Sequence, residues 1–261
     1  MAFIDLDGQR FHYRFDGPPD APVLVLSNSL GTDLTMWSPQ VEHFARRFRV
    51  LRYDTRGHGA SAVTAGPYTI AQLAGDVLAL LDALKVGRAR FCGLSMGGAT
   101  GMWLAAHAPE RFEQVVLCNT GARIGTADVW NTRIATVRAG GMDPIAQGTM
   151  ERWFTAAFRT RAPETVEQVR QVFLRTSPAG YIACCEAIRD HDQRDAVGAI
   201  RLPTLVIAGA QDPATPAADG RVLADRIPGA RCVELDTAHL SNLEAADEFT
   251  DTVFKFLTSR R

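Results

Sequence analysis

Largely apolar runs recur along the first half of the chain at Val23-Leu24-Val25-Leu26, Arg49-Val50-Leu51-Arg52-Tyr53, Phe91-Cys92 and Val115-Val116-Leu117-Cys118. Runs that stay apolar instead of alternating mark strands covered on both faces. Helix-like stretches separate them: Trp37 to Arg47, then Thr69 to Leu84, which opens with the capping box Thr69-x-x-Gln72 and ends near Gly87. Strands alternating with helices predict a parallel sheet wound with helices on both faces, with ligands beyond the carboxyl ends of the strands. Ahead of this pattern, Phe3-Ile4-Asp5-Leu6 and Phe11-His12-Tyr13-Arg14-Phe15 flank Asp7-Gly8, a hairpin signal that should start the sheet with an antiparallel pair.

The alternation stops at Thr120. From about Gly121 to Gly198 only helix-like pieces follow, with starts at Asp143-Pro144, Ala162-Pro163-Glu164 and Ser177-Pro178. Strands resume at Thr204-Leu205-Val206-Ile207-Ala208 and Arg231-Cys232-Val233-Glu234-Leu235, and a last helix is expected from about Asn242. The expected organisation is an α/β core of residues 1–120 and 199–261, carrying 121–198 as an inserted all-helical cap over the strand ends.

Composition narrows the function classes. At 261 residues and 46% hydrophobic, the chain can bury one substantial core plus a subdomain. A formal charge of −1 with no basic run gives no support for binding nucleic acid or an anionic membrane. The N-terminus lacks a basic and then apolar leader, and no apolar run reaches spanning length, so a cytoplasmic location is expected. Five cysteines without metal-type spacing read as reduced thiols, and a strained Cys184-Cys185 bridge is disfavoured. With no metal motif, Rossmann glycine fingerprint or Walker loop, no cofactor or metal is expected.

Chemistry enters at Gly93-Leu94-Ser95-Met96-Gly97. A serine bracketed by glycines between strand and helix is how a hydrolase exposes a nucleophile, because a Cβ at either flank would collide with a neighbouring element. A serine hydroxyl needs a histidine base and an acid that fixes the histidine tautomer. Asp212 and His239 each follow one of the last two strands and supply both, in the order Ser95, Asp212, His239. His58 is a rival base at an earlier strand end, but would give the unusual order His-Ser-Asp. Asp236 and Asp190 compete for the acid role; Asp236, three residues from His239 on the same loop, is poorly placed to bridge its ring. The oxyanion donors are expected to be the backbone N–H groups of Met96, at the helix start, and Leu30, in Ser27-Asn28-Ser29-Leu30-Gly31.

Beyond these motifs, Ser27-Asn28-Ser29-Leu30-Gly31-Thr32-Asp33-Leu34, Met36-Trp37, Arg52-Tyr53-Asp54-Thr55-Arg56-Gly57-His58-Gly59 and Phe91-Cys92-Gly93-Leu94-Ser95-Met96-Gly97-Gly98 resemble the α/β-hydrolase superfamily and, within it, the 3-oxoadipate enol-lactonases of bacterial aromatic catabolism. Asn28-Ser29, where most relatives carry His-Gly, is the discriminating piece. The resemblance implies the α/β-hydrolase fold and a small lactone substrate with a free carboxylate, opened by Ser95 with His239 and Asp212. A carboxylate stripped of water needs a cation. Arg133 and Arg138 on the first helix after Thr120 are candidates, with Trp130 and Trp153 as apolar walls; the favoured clamp is Arg133 with Trp130. Alternative readings are another ester hydrolase, a perhydrolase or a carbon-carbon hydrolase on the same scaffold, and more remotely a non-catalytic ligand receptor.

Overall fold

A computed structural model describes residues 2–259. The chain opens with a hairpin of β1 (Ala2–Leu6) and β2 (Gln9–Asp16), antiparallel with Ala2 opposite Tyr13. Asp7 and Gly8 carry the two successive positive φ values, 52° and 77°, that a two-residue turn matching strand twist requires. Six further strands follow: β3 (Val23–Ser27), β4 (Arg49–Tyr53), β5 (Ala89–Leu94), β6 (Phe112–Cys118), β7 (Thr204–Gly209) and β8 (Arg231–Leu235). The eight form one sheet in the order β1-β2-β4-β3-β5-β6-β7-β8, parallel from β4 to β8. Leu24, Val25 and Leu26 are wholly buried, as continuous apolar runs in a doubly covered sheet should be.

Helices α1 (Ser38–Phe44), α2 (Ile70–Ala83) and α3 (Met96–His107) lie between strands of the first half. The Thr69 side chain accepts from the Gln72 N–H at 3.0 Å, so the capping signal marks the true start of α2. The helix expected from Trp37 to Arg47 is α1, which ends at Phe44 and follows a 3-10 turn, Leu34–Trp37, that the sequence did not mark. Pro39 sits in the first turn of α1, where a missing N–H leaves no intrahelical bond unmade.

Between β6 and β7 the chain is wholly helical: α4 (Ala127–Gly140), α5 (Asp143–Trp153), α6 (Ala156–Arg161), α7 (Pro163–Arg175), α8 (Pro178–Arg189) and a short 3-10 turn, Val197–Ala199. The three proline-marked starts at 143, 163 and 178 coincide with α5, α7 and α8. After β7 come α9 (Ala217–Arg226) and, after β8, α10 (Ser241–Glu244) and α11 (Ala246–Thr258). The final helix expected from Asn242 is thus broken at Ala245, whose φ of −124° leaves the helical region. Among the described residues no helix is long and apolar enough to cross a membrane, and no cluster of three potential metal ligands occurs.

Candidate active site

Ser95 sits in the turn between β5 and α3 with φ 58° and ψ −112°, a left-handed backbone that a non-glycine residue adopts only under constraint. The constraint is visible on both sides. Ser95 N–H donates to Cys118 O at 2.8 Å, and Ser95 O accepts from Thr120 Oγ1 at 2.9 Å. A Cβ on Gly93 would lie 2.1 Å from Gly97 O, and one on Gly97 would lie 2.2 Å from Ser27 O. Only glycine at these two positions lets α3 close down on β5 and β3, and that closure makes the turn sharp enough to project the serine side chain.

His239 lies on the loop after β8, with Nδ1 2.8 Å from Asp212 Oδ2 on the loop after β7. Asp212 is held from several sides. Oδ1 accepts from the N–H groups of Ala214 and Thr215, while Oδ2 also accepts from Thr215 Oγ1 at 2.7 Å and Asn119 Nδ2 at 3.1 Å. Burial pushes the Asp212 carboxyl up, but the electrostatic pull of His239 and the hydrogen bonds from His239 and Thr215 outweigh it and hold the group below its usual range. Asp236 instead accepts from Gln211 Nε2, and Asp190 pairs with Arg189. Neither hydrogen-bonds His239, whose Nδ1 faces Asp212 and Thr215.

His58 serves a different purpose. Fully buried, it accepts the Gly31 N–H on Nε2 at 2.9 Å, which requires an unprotonated ring nitrogen and anchors the loop after β3. Burial lowers its pKa, consistent with a neutral ring. In that loop Ser29 N–H donates to Met36 Sδ and Gly31 N–H to His58. The Leu30 and Met96 N–H groups make no hydrogen bond among the described residues.

Ser95, His239 and Leu30 line a cavity of about 220 Å³ whose remaining wall comes mostly from the inserted helices: Trp130, Arg133, Arg152, Trp153 and Tyr181, with Ile124 and Ser29. Arg133 donates to Tyr181 OH at 3.0 Å and lies 5.6 Å from the Trp130 ring centroid. The Trp130 indole N–H is fixed by Ile124 O at 2.7 Å, and Trp153 stands edge-on to Phe173. Arg138 is not brought to this cavity; it is exposed on α4, one and a half turns beyond Arg133. Arg152 and Tyr181 were not singled out in the sequence. Burial and then the nearby Arg133 lower the Arg152 pKa, and no ion pair involves either guanidinium among the described residues. Two adjacent guanidiniums that make no ion pair leave this wall positively charged.

The inserted helices are fastened to the histidine loop. Leu240 N–H donates to Trp153 O at 3.1 Å, and the buried Glu244 carboxylate accepts from Ala238 N–H at 3.0 Å and from the Thr155 N–H and hydroxyl. A larger, open depression of about 940 Å³ lies at the opposite end of the sheet, around Pro22, Arg47, Arg88 and Arg201. It holds no serine–histidine pair.

Comparison with known proteins identifies the family. A family model described as the alpha/beta hydrolase fold matches residues 22–246. The chain is 48% identical over 242 residues to 3-oxoadipate enol-lactonase 2 of Acinetobacter baylyi, covering 93% of this chain and 91% of that protein. It is 38% identical to 3-oxoadipate enol-lactonase 1 of the same organism, covering 99% and 97%. The crystal structure of the enol-lactonase from Burkholderia xenovorans LB400 superposes with a TM-score of 0.98 at 53% identity, covering 99% of this chain and all of that one. With likeness of this extent in sequence and in structure, the chain is an enzyme of the α/β-hydrolase family, on the branch that carries the 3-oxoadipate enol-lactonases.

Proposed function

We propose that this protein opens 3-oxoadipate enol-lactone to 3-oxoadipate through a Ser95–His239–Asp212 triad and a covalent acyl-enzyme. The observation that carries the reading is one cavity in which Ser95 and the Asp212-bound His239 face two arginines without counter-ions. The enol-lactonase relatives support the lactone as substrate. Residues 121–198 act as a cap that supplies the substrate-specific wall.

Ser95 Oγ attacks the ring carbonyl while His239 Nε2 takes its proton. The Asp212 carboxylate on Nδ1 fixes the tautomer and stabilises the imidazolium. Met96 and Leu30 N–H receive the oxyanion, each such donor being worth about 3–4 kcal/mol in the transition state. Collapse breaks the ring C–O bond and expels an enolate, which takes the proton from His239 and tautomerises to the ketone. Water then attacks the acyl carbon, giving its proton to His239. Ser95 leaves with that proton, and 3-oxoadipate is released.

The substrate's carboxymethyl carboxylate lies against Arg133 and Arg152, with Trp130 and Trp153 enclosing the ring. This pair of cations favours an anionic lactone over a simple neutral ester. The test is hydrolysis of freshly generated enol-lactone, followed by ultraviolet loss of the enol ester, with p-nitrophenyl acetate and a Ser95→Ala variant in parallel. Fast lactone turnover that vanishes in the variant is expected. Rapid ester cleavage with the lactone untouched moves the assignment to a general esterase.

A further inference from the structure

Asn119, the first residue after β6, makes no side-chain hydrogen bond to Ser95 and does not line the cavity, yet its carboxamide reaches both loops that carry the acid and the base. Its Nδ2 donates to Asp212 Oδ2 at 3.1 Å and to the carbonyl of Ala238, the residue before His239, at 3.2 Å. Its Oδ1 accepts from Ser241 Oγ at 2.5 Å, two residues beyond His239. The orientation of the amide is fixed by its partners: turned over, its oxygen would face two acceptors, a carboxylate and a carbonyl. Room for the group comes from Gly209 at the end of β7, where a Cβ would stand 3.0 Å from Asn119 Nδ2 and 2.2 Å from Ala238 O. The side chain is fully enclosed, with the residue 1% exposed.

We propose that Asn119 is a positioning residue for the Asp212–His239 pair, an inference that rests on the triad reading above. Its N–H bond to Oδ2 fixes the carboxylate oxygen that meets His239 Nδ1, while its bonds to Ala238 and Ser241 fix the loop on either side of the imidazole. One planar group thereby sets the distance between acid and base. Rotation of the carboxylate away from Nδ1 would leave the imidazole free to take the wrong tautomer, which lowers the chemical step and leaves substrate binding intact.

Backbone conformation offers a competing explanation. Asn119 has φ 44°, in the left-handed region where asparagine is common among non-glycine residues, and on that explanation the side chain serves only to tolerate the turn. Asn119→Gly separates the two roles, because glycine accepts the same backbone and removes the carboxamide.

The experiment is a double-mutant cycle on lactone hydrolysis with Asn119→Gly, Asp212→Asn and their combination, with thermal melting of each. The expected result for Asn119→Gly is kcat lower by about 10- to 100-fold, the range for loss of a hydrogen bond to a charged group, with KM within about twofold. In the Asp212→Asn background the same change should lower kcat by less than about threefold, because the carboxylate it positions is gone. A kcat within about twofold of wild type, or an equal loss in both backgrounds, overturns the proposal. Asp212→Asn with undiminished kcat brings down the triad reading itself. If melting shows that Asn119→Gly does not fold, Ser241→Ala, which releases only the far end of the amide, takes its place. It should lower kcat by roughly 3- to 10-fold at constant KM, and unchanged kcat there overturns the proposal.

Discussion

Gly97→Ala is the substitution whose effect follows most directly from the coordinates. The added Cβ would stand 2.2 Å from Ser27 O, 2.6 Å from Ser27 C and 2.9 Å from Ser27 Oγ. Ordinary contact begins at 3.4 Å, so the start of α3 and the end of β3 must separate by about 1.2 Å, and the nearest atoms belong to backbone that cannot rotate away. That movement breaks the 3.0 Å bond from Gly97 N–H to Asn28 O, which ties the two sides of the proposed oxyanion site together. Overpacking typically destabilises by about 1–3 kcal/mol, and a backbone clash with a lost hydrogen bond belongs at the upper end. Catalysis should suffer more than folding. Met96 N–H moves with the helix and Leu30 N–H stays with the strand loop, and a displacement near 1 Å lowers rate by roughly 100-fold. The assay is kcat on the enol-lactone, read beside a urea unfolding curve at a temperature where the variant remains folded. A folded variant with kcat within about threefold of wild type would refute the reasoning, since the elbow would then tolerate a side chain it has no room for.

Arg133→Ala and Arg152→Ala should each lower kcat/KM for the enol-lactone by about 10- to 100-fold, mainly through KM, while p-nitrophenyl acetate is spared; equal loss on both substrates contradicts a carboxylate clamp. Burial holds the imidazoles of His58 and His191 below their ordinary pKa, so the folded chain binds fewer protons than the unfolded one below about pH 6.5. Stability present above that value should therefore be lost as pH falls towards the folded pKa values, and melting from pH 7 to pH 5 should show a shallower decline in His58→Asn than in wild type. Glu244→Ala leaves the Ala238 and Thr155 N–H groups without their carboxylate, and should lower unfolding free energy by about 2–3 kcal/mol in urea titration; a change under about 0.5 kcal/mol contradicts the view of Glu244 as a fastening.

Much of the framework was legible because it follows from short-range rules. Apolar runs, the Asp7-Gly8 turn, the Thr69 cap and the proline-marked helix starts each locate an element from a few neighbouring residues. Ser95, Asp212 and His239 could be singled out as candidates because each sits just past a strand, and strand ends of a parallel sheet lie along one edge. The inserted helices gave up less. Prolines made the starts of α5, α7 and α8 readable but nothing marked those of α4 and α6, and which helix face meets the cavity depends on packing between helices distant in sequence. Arg133 and Arg138 illustrate the limit: five residues at about 100° each set them roughly 140° apart, so one helix could not aim both at the same substrate, and Arg138 is the exposed one. Arg152 and Tyr181 meet Arg133 only because α4, α5 and α8 converge there. Asn119 carried no local signal either, since its partners lie 93 and more residues away along the chain.

Rapid acid quench of the protein mixed with excess enol-lactone, followed by mass analysis of the peptide bearing Ser95, tests the covalent mechanism most directly. Ring opening loses no fragment, so the acyl-enzyme should appear as that peptide heavier by one whole lactone, and the adduct should be missing in Ser95→Ala. Undiminished lactone turnover by Ser95→Ala, with no adduct on the wild-type peptide, would contradict the account.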